Sequence, residues 1–268
     1  MTENYFVLLE QPMTIDVKSM VANTIRDKPF IGGMEWMENK LIKIHLVNRQ
    51  TGKEVKQKVK CEAFFFMHII NCFEQDNHVI IDVNGYGDTK FLHALHVKNI
   101  RVMIGGSKAK AHRQKDGTLI LTPDNITDFS YEIPTLNSSF LRKKYKYSYG
   151  TKGDMKHTQE RVIKYLHFSS LSLFGKVDLE TREVRDWGEN GMYGSVLCYL
   201  PRPGATAEDD GTIIGTLLHS DDKTKVTLIV LNAADMTELA RATSPRPPTC
   251  LAHSTAASSL HSRVLEAT

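Results

Sequence analysis

The stretch from Cys61 to Tyr86 constrains the fold most, because it has the pattern of a single β-hairpin. Its first arm, Phe64–Phe73, is almost wholly apolar, and the polar run Glu74–Asn77 that follows predicts a turn. Val79–Val83 then returns with β-branched residues, which favour strands. The chain is therefore expected to bury this hairpin in a β-sheet.

One histidine, His68, lies inside the apolar arm between Met67 and Ile69. A buried imidazole needs a partner, because an unpaired buried polar group costs about 1–3 kcal/mol. Another protein group could satisfy it, which would make His68 an ordinary hydrogen-bonded core residue. A metal ion could also satisfy it, since neutral imidazole is the commonest protein metal ligand. The residues alone leave both interpretations open.

Short apolar arms separated by polar turns recur along the chain, which favours an all-β sandwich or propeller. No repeat of the WD or kelch type is visible. Met13–Asp27 predicts a short helix or an irregular crossing, and Thr89–Asn99 predicts a helix. The alternation of Tyr145, Tyr147 and Tyr149 predicts a strand. The other predicted strands are Tyr5–Glu10, Leu41–Val47, Glu54–Lys60, Gly117–Leu121, Phe174–Leu179, Glu183–Trp187, Thr212–Leu218 and Lys225–Leu231.

The other histidines considered have ordinary explanations. His45 falls on the polar face of the predicted strand Leu41–Val47, which predicts a solvated side chain. His93 and His96 are three residues apart on a predicted helix and could pair on a metal, but no third ligand is suggested nearby, so a surface position is favoured. His112 lies in a basic stretch that predicts a loop.

Charge and cysteine usage narrow the class of protein. A net charge of +3 spread over 268 residues lacks the clustered lysine and arginine of a nucleic-acid surface. The basic and aromatic run Arg142–Tyr147 leaves single-strand binding as a minor alternative. The cysteines lack CxxC spacing, which is typical of reduced thiols in an intracellular protein; they are Cys61, Cys72, Cys198 and Cys250. Without a long apolar run or a signal pattern, a cytoplasmic protein with no transmembrane segment is predicted.

Three segments resemble the carotenoid cleavage oxygenases, above all their animal branch: TENYFVLLEQP at 2–12, FFFMHIINCFEQDNHVIIDVNGY at 64–86 and PRPGATAEDDG at 201–211. That resemblance implies an all-β fold, here several consecutive blades of a seven-bladed β-propeller with short helical crossings. It also implies a single ferrous iron, Fe(2+), bound by four histidines. His68 matches the family histidine that stands before an Ile-Asn-x-aromatic-Glu segment, with Asn71, Phe73 and Glu74 in step. The resemblance therefore implies that His68 is an iron ligand.

A second segment, YEIPTLN at 131–137, is similar to a family segment whose glutamate accepts a hydrogen bond from the iron-bound histidine. By that match Glu132 is the partner of His68, a role in which a carboxylate fixes the tautomer and raises the basicity of the imidazole. Without the resemblance, Glu132 reads as a turn residue before a proline. The implied substrate-lining residues are Phe66, Met67, Tyr86 and Ile133, and for Tyr86 a core position is the alternative.

Two positions depart from the family pattern. Val196 stands where relatives carry a glutamate that supports the last iron histidine, and losing such a partner costs about 10–100-fold in metal affinity or activity. His253 matches that last histidine, but Ala252 is an extra residue before it. A one-residue slip in a strand turns a side chain to the opposite face, so His253 is open both as a ligand and as a residue that points away.

The resemblance implies that 1–241 is the C-terminal part of a carotenoid-oxygenase propeller, and the composition predicts an irregular tail over 242–268. It implies cleavage of a carotenoid double bond by dioxygen to retinal-type products, with peripheral membrane contact as a route for substrate. Because the match starts just after a family iron histidine, the chain is expected to be one half of a longer protein and weakly active or inactive alone. The alternative is a non-catalytic propeller that binds an apolar ligand, with His68 and Glu132 as a satisfied core pair.

Overall fold

The computed structural model describes residues 1–86, 108–127, 131–153 and 172–245, except positions 27, 29, 38, 125 and 223. The chain divides into two compact units, Met1–Ser130 and Tyr131–Thr268. In the first, the elements are β1 (Tyr5–Glu10), β2 (Met13–Ile15), α1 (Val17–Ile25), a 3-10 helix (Phe30–Gly33), β3 (Met34–Trp36), β4 (Ile42–Asn48), β5 (Val59–Cys61), β6 (Phe65–Gln75), β7 (His78–Tyr86), β8 (Lys108–Arg113) and β9 (Leu119–Asp124). In the second they are β10 (Glu132–Thr135), a 3-10 helix (Ser138–Phe140), β11 (Tyr147–Gly153), β12 (Ser172–Asp178), β13 (Val184–Trp187), β14 (Met192–Pro201), β15 (Gly211–His219), β16 (Lys225–Asn232) and β17 (Glu238–Pro245).

The first unit consists of a five-stranded sheet, in the order β1-β4-β5-β9-β8, and two separate hairpins, β2-β3 and β6-β7. The sheet is antiparallel except where β5 runs parallel to β9. Residues of the sheet and of the β6-β7 segment share one core, because Ile42 and Ile44 of β4 pack in a cluster with Phe64 and Val83. This shared core confirms that the apolar hairpin is buried against a sheet.

The central hairpin is confirmed, with a tighter turn than the predicted Glu74–Asn77. β6 and β7 pair up to Gln75 and His78, so that only Asp76 and Asn77 form the loop. Both have positive φ, 50° and 59°, as a two-residue turn that matches the strand twist requires.

Two expectations about the first unit need correction. Glu54–Lys60 is not a continuous strand: residues 51–56 are exposed, with one isolated bridge at Glu54, and pairing resumes only at β5, which β4 and β9 flank. His112 lies in a strand, not a loop, because β9 supplies a pairing partner, Ile120. The short helix predicted over Met13–Asp27 is confirmed as α1, which follows the short strand β2. Its N-cap Asp16 accepts a hydrogen bond from the backbone N–H of Lys18. The predicted helix Thr89–Asn99, with His93 and His96, lies outside the described residues.

The second unit contains two four-stranded antiparallel meanders, β10-β11-β12-β13 and β14-β15-β16-β17. A parallel bridge between Ser172 and Tyr193 joins them into one sheet. The predicted strands over Phe174–Leu179, Glu183–Trp187, Thr212–Leu218 and Lys225–Leu231 are confirmed as β12, β13, β15 and β16. Four-stranded antiparallel sheets of this kind are the repeating unit of a β-propeller.

The core of the second unit is centred on Phe174, which is fully buried and stacks on Trp187 with ring centroids 5.9 Å apart. Gly194 and Gly215 of the second meander also lie against the Phe174 ring. They are so close to it that a Cβ at either position would overlap the ring. Glycine at these two strand positions therefore allows the close approach of the two meanders.

Buried polar contacts hold the segment 201–211 against the rest of the second unit. The Lys176 ammonium, whose side chain is 6% exposed, forms an ion pair with Asp209 at 2.5 Å and donates to the Ala234 carbonyl at 2.8 Å. The Glu208 carboxylate accepts hydrogen bonds from the backbone N–H groups of Lys146 and Tyr147. Burial raises the pKa of Glu208. The family-like segment thus connects β11, β12 and the turn after β16.

The strand β17 continues to Pro245, with Ala242 opposite Leu228, so the predicted boundary at 241 falls inside a strand. Positions 246–268, with Cys250 and His253, lie outside the described residues. Cys61, Cys72 and Cys198 are free thiols, and burial raises the pKa of Cys61 to about 12. Among the described helices, none has the length and apolar character needed to cross a bilayer.

Candidate functional site

His68 lies within the first of two successive irregularities in the pairing of β6 with β7. Phe66 pairs with Gly85 and Ile69 with Val83, so an advance of three residues along β6 corresponds to two residues along β7. Asn71 then pairs with Asp82, so the next two residues of β6 correspond to one residue of β7. Each mismatch places an extra residue in β6, which is a β-bulge. Bulges redirect side chains and are common beside active sites, so this strand sets His68 apart from the regular alternation of its neighbours.

Three polar side chains from the start of the chain, those of Gln11, Thr2 and Asn4, bond to β6 on either side of His68. Gln11 bonds the backbone of Phe66 twice, donating to its carbonyl at 3.0 Å and accepting from its N–H at 2.9 Å. Glu74 accepts from the Thr2 hydroxyl at 2.5 Å and from the backbone and side chain of Asn4, each at 2.9 Å. Partial burial opposes ionisation of Glu74, but the hydrogen bonds from Asn4 and Thr2 hold its pKa below the usual value. The sequence placed Glu74 in a turn and gave no sign of these contacts.

The predicted substrate-lining residues of the first unit differ in exposure. Met67 and Ile69, on either side of His68, are 44% and 40% exposed, although both are large and apolar. Phe66 is half-buried and its ring lies 5.9 Å from that of Phe64. Tyr86 is 3% exposed and packs against Phe65, so the core position considered for it is observed. Its contact with substrate stays a prediction.

Glu132 begins β10, the first strand of its meander, and lies opposite Thr151. The next pair is Thr135 with Tyr149, so three steps on β10 match two on β11, which indicates a bulge. Ile133 within it has φ of 52°, a value that is an outlier for a β-branched residue, and it is 38% exposed. Such strained residues cluster at functional sites. The structure therefore places the predicted Glu132 and Ile133 on a strained, half-exposed segment.

Val196 lies in a corresponding bulge of β14, the first strand of the second meander. Gly194 pairs with Leu217 and Leu197 with Gly215, so Ser195 and Val196 together lie opposite one residue. Thr151, the partner of Glu132, donates its hydroxyl to the Ser195 carbonyl at 2.7 Å. The two bulges thus meet through one hydrogen bond, and the sequence gave no indication of Thr151 as the link.

The described residues alone do not form a metal site. Within them, no three histidine, cysteine, aspartate or glutamate side chains are grouped as metal ligands would be. His68 is in the first unit and Glu132 in the second, so the hydrogen bond predicted between them stays a prediction. The predicted ligand His253 lies outside the described residues.

The fold matches that of oxygenases of the β-propeller class. Cobalt-substituted Synechocystis ACO superposes with a TM-score of 0.69 at 20% identity, over 92% of this chain and 49% of that one. An ACO/RPE65 chimera gives a TM-score of 0.68 at 18% identity, over 92% of this chain and 49% of its own. The predicted fold class, an all-β chain that forms part of a β-propeller, is thereby confirmed.

The sequence comparison identifies the family. The family described as retinal pigment epithelial membrane protein matches residues 1–255, and the chain belongs to it. The carotenoid isomerooxygenase of Galleria mellonella is 32% identical over 269 residues, which cover 93% of this chain and 50% of that protein. The β,β-carotene 15,15'-dioxygenase of Gallus gallus is 26% identical over 275 residues, 90% of this chain and 50% of the relative. The chain spans about half the length of the curated relatives it matches.

Proposed function

We propose that this chain is part of an iron-dependent dioxygenase that cleaves a carotenoid double bond. The single observation that carries the proposal is His68, the histidine of the family-like segment, on a doubly bulged strand between exposed apolar side chains. The relatives named for this chemistry are a carotenoid isomerooxygenase and carotene dioxygenases. In the cleavage, one carbon–carbon double bond and one dioxygen molecule give two carbonyl groups, each with one oxygen atom, and no further reductant is consumed.

The substrate class follows from the surface beside His68. A carotenoid is a long apolar polyene, and apolar side chains with few polar groups suit the binding of such a ligand. Met67 and Ile69 present this surface on β6. Ile133, which is exposed on β10 of the second unit, is assigned the same role by the family resemblance alone. Their role is to hold the polyene by its apolar surface and to exclude water from the reacting bond.

We assign metal binding to His68 and, beyond the described residues, to His253. Ferrous iron, when bound, would supply the activation of dioxygen. The part of Glu132 is to accept the imidazole N–H of His68 and so to fix its tautomer and orientation. Val196 cannot accept such a hydrogen bond, because its side chain has no polar atom. This substitution is the feature that favours the second candidate function, a non-catalytic propeller that binds an apolar ligand.

The experiment compares His68→Ala with His78→Ala, a matched exposed histidine at the start of β7. Each variant is made in a protein extended at the N terminus to the length of the relatives. Iron is measured by anaerobic titration, and cleavage of β-carotene under labelled dioxygen by mass spectrometry.

The parent and His78→Ala are expected to bind about one iron and to place one labelled oxygen atom in each carbonyl product. His68→Ala is expected to lose both properties, because a ligand of the metal is gone. If the extended parent binds no iron and leaves β-carotene intact, the dioxygenase proposal is wrong and apolar-ligand binding without catalysis takes its place.

A further inference from the structure

Tyr131, the residue before β10, lies across three neighbouring strands of the second unit. Its hydroxyl donates to the Asp186 carboxylate on β13 at 2.7 Å. The other oxygen of that carboxylate accepts from the Lys152 ammonium on β11 at 2.6 Å. Lys152 also lies 6.0 Å from the centre of the Tyr131 ring. Tyr131 is 6% exposed. Its hydroxyl is therefore anchored at the end of a buried ring.

The sheet beneath the ring is shaped to accept it. Gly150 of β11 pairs directly with Gly175 of β12, and Gly175 pairs with Asp186 of β13. A Cβ at Gly150 would lie 2.8 Å from Cβ of Tyr131, and one at Gly175 would overlap the ring and hydroxyl. Glycine weakens a strand interior unless another group must approach closely, and here the Tyr131 ring is that group.

This anchor is directly next to the strained bulge of β10. Ile133 keeps a φ of 52° only two residues after Tyr131, and β10 pairs with β11 only at Glu132 and Thr135. A β-branched residue keeps such a conformation only when its surroundings enforce it. The pairing on the C-terminal side is supplied by Thr135, and the fixed point on the N-terminal side is Tyr131.

We propose that Tyr131 is a positioning residue: anchored by Asp186 and seated on Gly150 and Gly175, it fixes the Glu132–Ile133 bulge and the direction of the Glu132 carboxylate. The use of that carboxylate rests on the proposed function. The conformational role of Tyr131 does not depend on metal or substrate. Lys152 acts through Asp186, because its ammonium holds the carboxylate that accepts the tyrosine hydroxyl.

The test uses the full chain without metal. Tyr131→Phe removes only the hydroxyl, and Asp186→Ala removes its acceptor. Tyr149→Phe is the matched control, because Tyr149 is a buried tyrosine of the same sheet whose hydroxyl donates to the Ala233 carbonyl at 3.0 Å. Asp186→Asn is the conservative variant, since its amide oxygen can still accept the Tyr131 hydroxyl. The readouts are the 13Cα and 13Cβ shifts of Ile133, which report its φ, and amide exchange over residues 132–135.

Tyr131→Phe and Asp186→Ala are expected to move the Ile133 shifts toward ordinary strand values and to speed exchange of these amides about 10-fold. Tyr149→Phe and Asp186→Asn are expected to leave both readouts as in the parent. Unchanged Ile133 shifts in folded Tyr131→Phe, or in Asp186→Ala should the first variant not fold, would overturn the proposal. If the extended parent binds no iron, the dioxygenase proposal is wrong, but the conformational role of Tyr131 is unaffected.

Discussion

At the residue scale, the bulges of β6, β10 and β14 carry the positions that the family pattern singles out. His68 lies within the first of two bulges of β6, Glu132 begins the bulge of β10, and Val196 is within that of β14. The β14 bulge persists although its side chain is apolar. Its backbone is held independently of that side chain, because the Thr151 hydroxyl binds the Ser195 carbonyl. The β14 bulge therefore does not depend on a carboxylate at position 196.

Restoring that carboxylate gives a prediction about metal affinity. In the extended protein, Val196→Glu is expected to tighten iron binding about 10-fold or more, because a carboxylate that orients a ligating histidine is worth about 10–100-fold in affinity or activity. Val196→Gln is the control of equal length without charge and is expected to give a smaller gain. Anaerobic iron titration measures both. Equal affinity in all three proteins would show that position 196 does not support the metal.

His45 also corrects a prediction at this scale. It was expected to be solvated, but both ring nitrogens are bonded, Nδ1 to Glu54 at 2.6 Å and Nε2 to Glu10 at 3.1 Å. The hydrogen bonds that the ring donates to the Glu54 carboxylate and, with a smaller effect, to the Glu10 carboxylate raise the pKa of His45. The alternation of β4 placed the side chain on the polar face correctly, but it could not show that β1 and residue 54 bring two carboxylates to the ring.

The contribution of His45 to stability should fall as the pH rises. A histidine whose pKa is raised by folding stabilises the folded state fully below its unfolded pKa, about 6.5, and less as pH passes through the folded pKa. Because the pairs are exposed, we expect about 0.2–1 kcal/mol. Urea denaturation of the parent and of His45→Gln at about pH 5.5 and about pH 8.5 should show a stability gap that narrows at the higher pH. A gap independent of pH would contradict this.

At the element scale, the second unit is held by side chains that connect distant segments as well as by its strand ladders. Lys176 of β12 joins the segment 201–211, through Asp209, to the turn after β16, through Ala234. Its ammonium also lies 3.8 Å from the centre of the Tyr147 ring. Removing one partner of a buried ion pair leaves the other uncompensated, which is more costly than losing a surface pair.

Lys176→Met is therefore expected to lower the free energy of unfolding by about 3 kcal/mol, the low end of the range for buried pairs because Asp209 is partly exposed. Lys225→Met, which removes a surface pair with Asp222, is the matched control and is expected to cost less than about 1 kcal/mol. Urea denaturation measures both. Adding Asp209→Asn to Lys176→Met should recover part of the loss, since the unpaired charge is then gone. A loss equal to that of Lys225→Met would show that the pair is not effectively buried.

At the scale of the whole molecule, the relevant fact is that the chain spans about half the length of its relatives. The resemblance requires four histidines for the metal. Among the described residues we propose one of them, His68, and no cluster of three metal-binding side chains is found there. A metal site needs its full ligand count and geometry.

Iron binding and activity are accordingly predicted to depend on chain length. The 268-residue chain is expected to bind iron weakly and to leave β-carotene largely uncleaved, whereas the protein extended to the length of the relatives binds about one iron and cleaves it. Iron analysis and product chromatography on the two proteins test this. Full activity of the shorter chain would show that its own residues complete the site.

The sequence alone determined the elements whose pattern is local. The apolar arm with its polar turn predicted the β6-β7 hairpin. Alternating runs predicted β12, β13, β15 and β16, because the two-residue alternation of a strand is visible within its own sequence. The family-like segments were equally local, and the comparison confirmed the family.

Only the tertiary structure decided the features that depend on residues far apart in the chain. The bulges around His68, Glu132 and Val196 follow from how two strands pair, and the contacts of Gln11, Glu74 and Thr151 join positions 44–72 residues apart. The seat of Tyr131 needs glycines on two other strands and an acceptor on a third. Periodicity contains none of this information, because register and side-chain partners are fixed only when separate strands pack together.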